Sequence, residues 1–373
     1  MQSCVSIANG FFGLSLTAIA QIRNRQGCAG IATRDISDGA GGMSLRVLFG
    51  TYPWAFETPG GGEIQLRKYA QHLPSHGIDV RLHDPWQRNF AGASVFHFFS
   101  CLSGSVHFCS HIRKCGLPLV ISSSLWIDDL TRHGYPIDEI RAQLSLADVV
   151  VTNSEMESEQ LARILELPRD RFVAVFNGFE PRFAVADPQP FREKFGVHGA
   201  FVLNVANIEP RKNQLGLVRA LAGTGLPLVL IGSPRDRSYA DQILAEGGSQ
   251  VRFLGALEHE DPLLASAYAA CAVFALPSLL ETPGLAALEA AVSGAAVVIT
   301  SEGSTREYFA EHAHYVDHND PADIRRGIER AIAEGPDPSL RPYIMSRFAW
   351  NSATEGLVRV YHMAQERFAE QGS

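Results

Sequence analysis

The sequence lacks most of what would mark a membrane-spanning, disulfide-built or nucleic-acid-binding protein. It has no C-x-x-C pair, and its six cysteines (Cys4, Cys28, Cys101, Cys109, Cys115 and Cys271) are scattered. That scatter excludes a disulfide framework and fits reduced thiols in the cytoplasm. No apolar stretch reaches the roughly 20 residues that span a bilayer. There is no excess of basic charge: Lys and Arg number 32 against 40 Asp and Glu, for a net charge of -8 and a pI near 5.9. Wrapping phosphates needs a basic face, so nucleic acid is excluded as a partner. No fixed-period repeat is present, which excludes a solenoid. Hydrophobic residues make up 46% and charged residues 19%, enough apolar content to bury a core and exclude a disordered chain. At 373 residues the chain suits two domains of roughly 150 residues each.

Residues 1–42 stand apart. "SIANGFFGLSLTAIAQI" is mildly apolar, Ala18-Ile19-Ala20 has the look of a cleavage site, and Gly-rich polar sequence follows. A secretory signal wants a basic start, and the first basic residue is Arg23, after the apolar part. We expect these residues to form a disordered extension that contributes nothing to the fold, upstream of Met43.

From Ser44 the pattern becomes regular. "LRVLFGTYP" reads as a buried strand, and "ETPGGGEIQLRKYAQHL" as a glycine-rich loop running into a helix with Leu66, Ala70 and Leu73 at helical spacing. "IDVRLHD", "SVFHFFS", "PLVISSSLWI", "ADVVVTNS" and "FVAVFNGF" are further strands, several separated by helical patterns. After a Pro- and charge-rich linker at 183–196 a second series begins: "AFVLNVANIE", "LPLVLIGS", "VRFLGAL", "AVFALPS" and "AAVVITS" are strands alternating with helices such as "GLAALEAAVSG". Strands alternating with helices predict α/β architecture, with two doubly wound parallel sheets of Rossmann type facing a cleft. The expected domains are residues 43–182 and 197–346, with residues 347–373 forming a helix that crosses back to the first domain. Ligands of such sheets bind at the carboxyl ends of the strands.

The chemistry concentrates in "LPSLLETPGLAALEAAVSGAAVV". Glu281 lies on the loop after "AVFALPS", and Glu289 follows with seven residues between them. Pro283-Gly284 is expected to open a helix between the two, with Pro283 in its first turn. A helix start offers unpaired N–H groups and partial positive charge, a seat for phosphate. "NIEPRKN" brings Arg211 and Lys212 to the same end of the same half, two cations suited to a diphosphate. Carboxylates flanking a phosphate seat suit a molecule with hydroxyls on both sides of a diphosphate, a nucleotide-sugar.

"PGGGEIQLRKYAQHLPSHGIDV", "FNGFEP", "EPRKN", "VRFLGAL", "ALPSLLETPGLAALEAAVSGAAVV" and "FAWNSATEGLVRVY" come in an order that resembles the retaining glycosyltransferases of family 4, of GT-B fold, from about Leu45 to Tyr361. The resemblance implies that Arg211 and Lys212 hold the donor diphosphate, that Glu281 faces the donor sugar and that Glu289 binds the ribose. It implies that Gly284 and Leu285 offer backbone N–H groups, and that Gly61 and Gly62 let the first domain's loop approach the phosphates. It also implies a UDP- or GDP-linked sugar as co-substrate with no other cofactor and no metal, transfer to a sugar or lipid-linked sugar acceptor, and a role in bacterial polysaccharide or glycoconjugate synthesis. The chain departs from the family pattern at Ser122, Ser123 and Ser124, where many members carry a histidine. It also has Ala206 for a glycine, and "ETPG" where "EGFG" is common.

His97 ends the strand "SVFH" and is a candidate for the acceptor side, against a plain structural role. His107, His111 and Cys115 are spaced four apart, but no second ligand pair has metal-site spacing and their helix already carries a core stripe. Arg67, Lys68, Arg113 and Lys114 could favour the inner membrane surface, or be solvated helix faces. Two rival functions remain open: another GT-B enzyme such as a sugar-nucleotide epimerase, or a non-catalytic binding protein of the same fold. A Rossmann dehydrogenase lacks its G-x-G-x-x-G turn.

Overall fold

Among the described residues of the computed structural model, each of the twelve strands is three to six residues long, and most are buried on both faces, as parallel sheets covered by helices require. The structure describes residues 45–57 and 59–372; the expectation for residues 1–42 lies outside them. In the first domain the strands are β1 (Arg46–Thr51), β2 (Asp79–Leu82), β3 (Val95–Phe99), β4 (Leu119–Ser122), β5 (Val149–Thr152) and β6 (Phe172–Ala174). The helices between them are α1 (Gly61–His72), α2 (Val106–Lys114), α3 (Ile137–Ser145) and α4 (Glu155–Leu165). All six strands pair in parallel in the order β2-β1-β3-β4-β5-β6. Runs such as Val149-Val150-Val151 carry no alternation because both faces are covered. Ser154 ends the β5 loop and starts α4 by accepting the Glu157 N–H on its hydroxyl.

The second domain repeats the plan. It contains α5 (Gln189–Phe195), β7 (Val202–Val205), α6 (Gln214–Leu221), β8 (Leu228–Ile231), α7 (Arg237–Gly247), β9 (Val251–Phe253), α8 (Pro262–Ala270), β10 (Val273–Leu276), α9 (Leu285–Val292), β11 (Ala296–Thr300), α10 (Thr305–Phe309), β12 (His314–Val316), α11 (Pro321–Glu334) and α12 (Leu340–Arg347). Its sheet is also all parallel, in the order β12-β11-β10-β7-β8-β9. In each sheet the winding direction reverses once, between β1 and β3 in the first and between β7 and β10 in the second. Such a reversal opens a crevice at the strand carboxyl ends. The architecture is α/β with the two Rossmann-like layers of a GT-B fold.

The chain crosses between domains twice, and the two crossings touch. Phe179 N–H donates to the Phe348 carbonyl at 2.9 Å, and Phe179 bridges Ala349. Gly178 sits against the returning chain so closely that a Cβ there would lie 2.3 Å from the Trp350 nitrogen. The crossing therefore precedes the 183–196 segment expected as linker. Phe183 and Phe191 of that segment are fully buried in the second core, and Phe191 N–H donates to Ser266 Oγ at 3.0 Å. The Pro-rich composition there reflects a turn into α5 rather than a solvated connection.

Helix α13 (Trp350–Gln371) then lies on the first domain. Trp350, Leu357, Val360 and Tyr361 share a buried cluster with Val47, Phe49, Tyr69 and Val149. Further contacts join the domains. Tyr308 of α10 donates its hydroxyl to the Asn153 carbonyl at 2.5 Å and accepts from the Asn177 N–H at 3.0 Å. Glu307 accepts from the N–H groups of Glu155 and Met156, at 3.0 and 2.6 Å, so the second domain caps α4 of the first. Among the described residues no helix is long and apolar enough to cross a membrane.

Because the Gly178 position has no room for a methyl group, Gly178→Ala is expected to cost about 1–3 kcal/mol and to lower the thermal midpoint by several degrees. Thermal unfolding of the purified variant checks this, and an unchanged midpoint would mean that the crossings can separate.

Candidate active site

The reversal in the second sheet places the ends of β7 and β10 side by side. The loop after β7 makes one tight turn over Pro210–Lys212 and stops at Asn213, whose left-handed backbone (φ 55°) starts α6. Asn213 Nδ2 donates to the carbonyls of Pro277 and His318 at 3.0 and 2.9 Å. Leu279 N–H donates to the Arg211 carbonyl at 2.9 Å, so the two loops are stitched together. Across this stitch Lys212 Nζ meets Glu281 Oε1 at 2.5 Å, with both side chains largely buried.

Burial pushes the Glu281 carboxyl up, but Lys212, aided by Arg211, outweighs it and holds the group below the usual glutamate range. The Lys212 ammonium is in turn lowered by burial, with Glu281 opposing. Glu281 is held by its backbone as well: its N–H donates to the Glu302 carbonyl at 3.3 Å and its carbonyl accepts from Ser304 N–H at 3.0 Å. Gly303 is the residue that permits this (φ 88°), since a Cβ there would come within 2.1 Å of the Glu281 carbonyl oxygen.

Gly284, also left-handed (φ 78°), precedes α9, whose first residue is Leu285. The helix thus begins two residues later than Pro283, which lies outside it. A positive φ at Gly284 cannot continue a helix backwards, and this sets the start. The first N–H groups of α9 come from Leu285 and Ala286, at the mouth of the crevice. Glu289, a turn further on, is nearly buried. It accepts from His259 Nε2 on Oε1 at 2.7 Å and from the Tyr268 hydroxyl on Oε2 at 2.9 Å. Burial lowers the His259 imidazolium, but the bond to Glu289 and its charge outweigh this and raise the group above its ordinary value.

Gly61 and Gly62 are the first two residues of α1, in the other domain. A Cβ on Gly61 would have Leu285 Cδ1 as its nearest neighbour at 3.8 Å, and one on Gly62 would meet nothing within 4 Å. Packing does not demand glycine at these positions, and the amino ends of α1 and α9 face one another. Glu63 fixes the α1 end by accepting from Gly60 N–H at 2.7 Å and from the Tyr52 hydroxyl at 2.9 Å.

Arg211, Lys212, Glu281, Gly284, Leu285 and Glu289 are therefore brought to one crevice, with Gly61 and Gly62 opposite. Arg211 is half exposed and bonds Glu209 Oε1 at 3.1 Å. His97 belongs elsewhere. It is fully buried, sharing hydrogen bonds with Tyr361 OH at 3.0 Å and Ser122 Oγ at 2.8 Å, and its ring stacks on Phe99. Burial lowers its pKa to about 3, so it stays neutral. It is a core histidine tying β3 to α13, not a cleft residue.

The serines that replace the family histidine are also engaged. Ser123 donates to Glu157 at 2.7 Å and Ser124 to Gln65 at 3.0 Å. Lys68 is not on a solvated face. It is buried, pairing with Glu260 at 2.7 Å and Glu180 at 3.1 Å. Arg113 pairs with Asp148 at 2.6 Å. His111 Nε2 lies 3.5 Å from Cys115 Sγ, and among the described residues no three potential metal ligands converge.

Sequence reasoning missed three participants. Arg235, after β8, places its guanidinium 3.4 Å from where a Gly60 Cβ would stand. His259 and Tyr268 hold Glu289. The signal for Arg235 was present, a cation just past the carboxyl end of a strand in "LIGSPRDR".

Comparison with known proteins bears on the same region. Residues 187–342 match the family model of glycosyl transferases group 1. That match lies within the second domain and covers less than half of the chain. An uncharacterized glycosyltransferase of Methanocaldococcus jannaschii is 26% identical over 318 residues, covering 78% of this chain and 77% of its own length. The serotype-specific mannosyltransferase WbdA of Escherichia coli is 28% identical over 254 residues; the match covers 62% of this chain but spans only 31% of WbdA. The Anabaena protein HepE, solved with UDP and glucose, superposes with a TM-score of 0.68 at 17% identity, covering 85% of this chain and 99% of that one. The matched stretch contains Lys212, Glu281 and Glu289.

Ionisation of Glu281 stabilises the fold at neutral pH, and that contribution is lost as pH falls through its lowered folded value. Removing the counter-charge reverses the sign, because burial alone raises the carboxyl. Lys212→Met is expected to lose about 3–5 kcal/mol near neutrality. Its deficit against wild type should narrow as pH falls toward about 5, and Lys212→Met/Glu281→Gln should recover most of the loss. Denaturant midpoints across this range check it; a deficit independent of pH would contradict the pairing.

Proposed function

We propose that this protein is a retaining hexosyltransferase. In this reading it moves a sugar from a UDP- or GDP-linked donor to a sugar or lipid-linked sugar acceptor, without a metal, in bacterial polysaccharide or glycoconjugate synthesis. It would work in the cytoplasm, in peripheral contact with the inner membrane. The observation that carries the reading is the convergence at one sheet crevice of the buried Lys212–Glu281 pair, the start of α9 and the Glu289 carboxylate. The mannosyltransferase relative and the Anabaena protein solved with UDP and glucose support a hexosyl donor.

The chemistry follows from charge. Breaking the bond from the anomeric carbon to the diphosphate leaves negative charge on phosphate oxygens. Lys212, Arg211 and the first N–H groups of α9 are cationic or positively polarised groups held in place before that charge appears, which is the most effective form of stabilisation. Glu281 fixes Lys212 and faces the sugar. Glu289 accepts from ribose hydroxyls. The acceptor hydroxyl attacks the face from which the diphosphate departs and passes its proton to an oxygen of that departing diphosphate, so configuration is kept.

Two measurements test this. UDP, GDP, ADP and their sugars are screened by thermal shift. A binding nucleotide at a hundredfold excess over Kd adds about 2.7 kcal/mol, and a shift from none of them would refute the reading. With the donor known, Lys212→Ala is expected to lower kcat about 100- to 1,000-fold with a smaller change in KM. Glu289→Ala is expected chiefly to raise the donor KM. Near wild-type kcat in Lys212→Ala, with turnover abolished in Glu289→Ala at saturating donor, would invert the assigned roles.

A further inference from the structure

A carboxylate offers about four lone-pair positions, two on each oxygen. At Glu289, one position on Oε1 is filled by His259 Nε2 and one on Oε2 by the Tyr268 hydroxyl, at 2.7 and 2.9 Å. Each oxygen keeps a second acceptor position, so two adjacent sites remain for two adjacent donors. Vicinal hydroxyls are such a pair. His259 itself is held from several sides. Its carbonyl accepts from Arg182 Nη2, its Nδ1 lies 3.4 Å from Glu260 Oε1, and its ring stands edge-on to Phe183. Glu260 is in turn paired to Lys68 of α1, in the other domain, and Lys68 pulls the Glu260 carboxyl down to about 2. The imidazole therefore stands between two carboxylates, one in the nucleotide crevice and one on the domain boundary.

We propose that His259 is a positioning residue of the nucleotide site, orienting Glu289 so that its two remaining acceptor positions meet the vicinal hydroxyls of a ribose. The proposal rests on the reading of Glu289 as the ribose ligand. His259 touches neither sugar nor phosphate. It acts by fixing the carboxylate plane, with Tyr268 fixing the second oxygen. A carboxylate free to rotate about its last side-chain bond would meet one hydroxyl at a time, and preference for ribose would fall. His259 meets α9 only through the Glu289 side chain and bonds neither Lys212 nor the N–H groups at the helix start, so phosphate binding is expected to be untouched.

The test is calorimetric binding of UDP and GDP and of their 2′-deoxy forms to the full chain. Wild type is expected to prefer the ribo form of the nucleotide it binds by about tenfold to a hundredfold, the value of a hydrogen bond to a charged acceptor. His259→Leu is expected to reduce that preference to about threefold or less while deoxynucleotide affinity stays within about twofold. His259→Gln, whose amide can reach the carboxylate, should keep most of the preference. His259→Asn, which is too short, should not, and it carries the test if the leucine variant fails to fold. Glu289→Gln serves as control and should also lose the preference. If Glu289→Gln loses it while folded His259→Leu and His259→Asn keep it, the positioning role is overturned and the ribose reading stands. If Glu289→Gln keeps it, or wild type binds neither ribonucleotide or does not discriminate, the ribose reading falls and the proposal with it.

Discussion

The Lys212–Glu281 ion pair is the constraint on which the crevice is built. Two charges this buried are expensive to desolvate, and their attraction offsets that cost only when the geometry is good. The fold supplies the geometry through backbone placement and one side-chain tie. The reversal of winding sets β7 beside β10, the Asn213 amide ties one loop to carbonyls of its neighbours, and Gly303 lets a third strand end grip the Glu281 peptide. A hydrophobic pair would be easier to bury there. On the proposed function, the charged pair keeps an ammonium fixed where a phosphate would sit.

Around this pair the domains are locked in a particular relation. Chain crossings meet at Gly178, Tyr308 reaches into the first domain to bond Asn153 and Asn177, and Glu307 caps α4. Lys68 adds a buried ion pair from α1 to Glu260. These contacts bring the amino ends of α1 and α9 face to face, so both helix starts point into one space. Neither domain alone builds that space. The route from Lys68 through Glu260 and His259 to Glu289 shows how a polar contact at the boundary and a side chain in the crevice can share partners.

Much of this was legible in the sequence because parallel α/β folds are locally regular. Apolar runs such as "ADVVVTNS" and "AVFALPS" mark strands, and cations or carboxylates just past them mark the crevice. Arg211, Lys212 and Glu281 stood out as candidates for that reason, and Glu289 for its place in the helix that follows Gly284. What was not legible depends on partners far away in the chain. Lys68 looks like a solvated helix charge until Glu180 and Glu260 stand beside it, more than 100 residues on. His97 looks like a cleft residue until α13, some 260 residues later, covers it with Tyr361. His259 carries no motif at all. The start of α9 was misplaced because Pro at a first turn is favourable, and only the left-handed Gly284 decides against it.

On the proposed function, the crevice of the second sheet seats a nucleoside diphosphate. A crystal structure with UDP or GDP bound tests it most directly. The diphosphate is expected against the Leu285 and Ala286 N–H groups with Lys212 Nζ between it and Glu281, and the ribose hydroxyls on Glu289. A diphosphate bound elsewhere, or one that leaves Lys212 and Glu289 untouched, would contradict it.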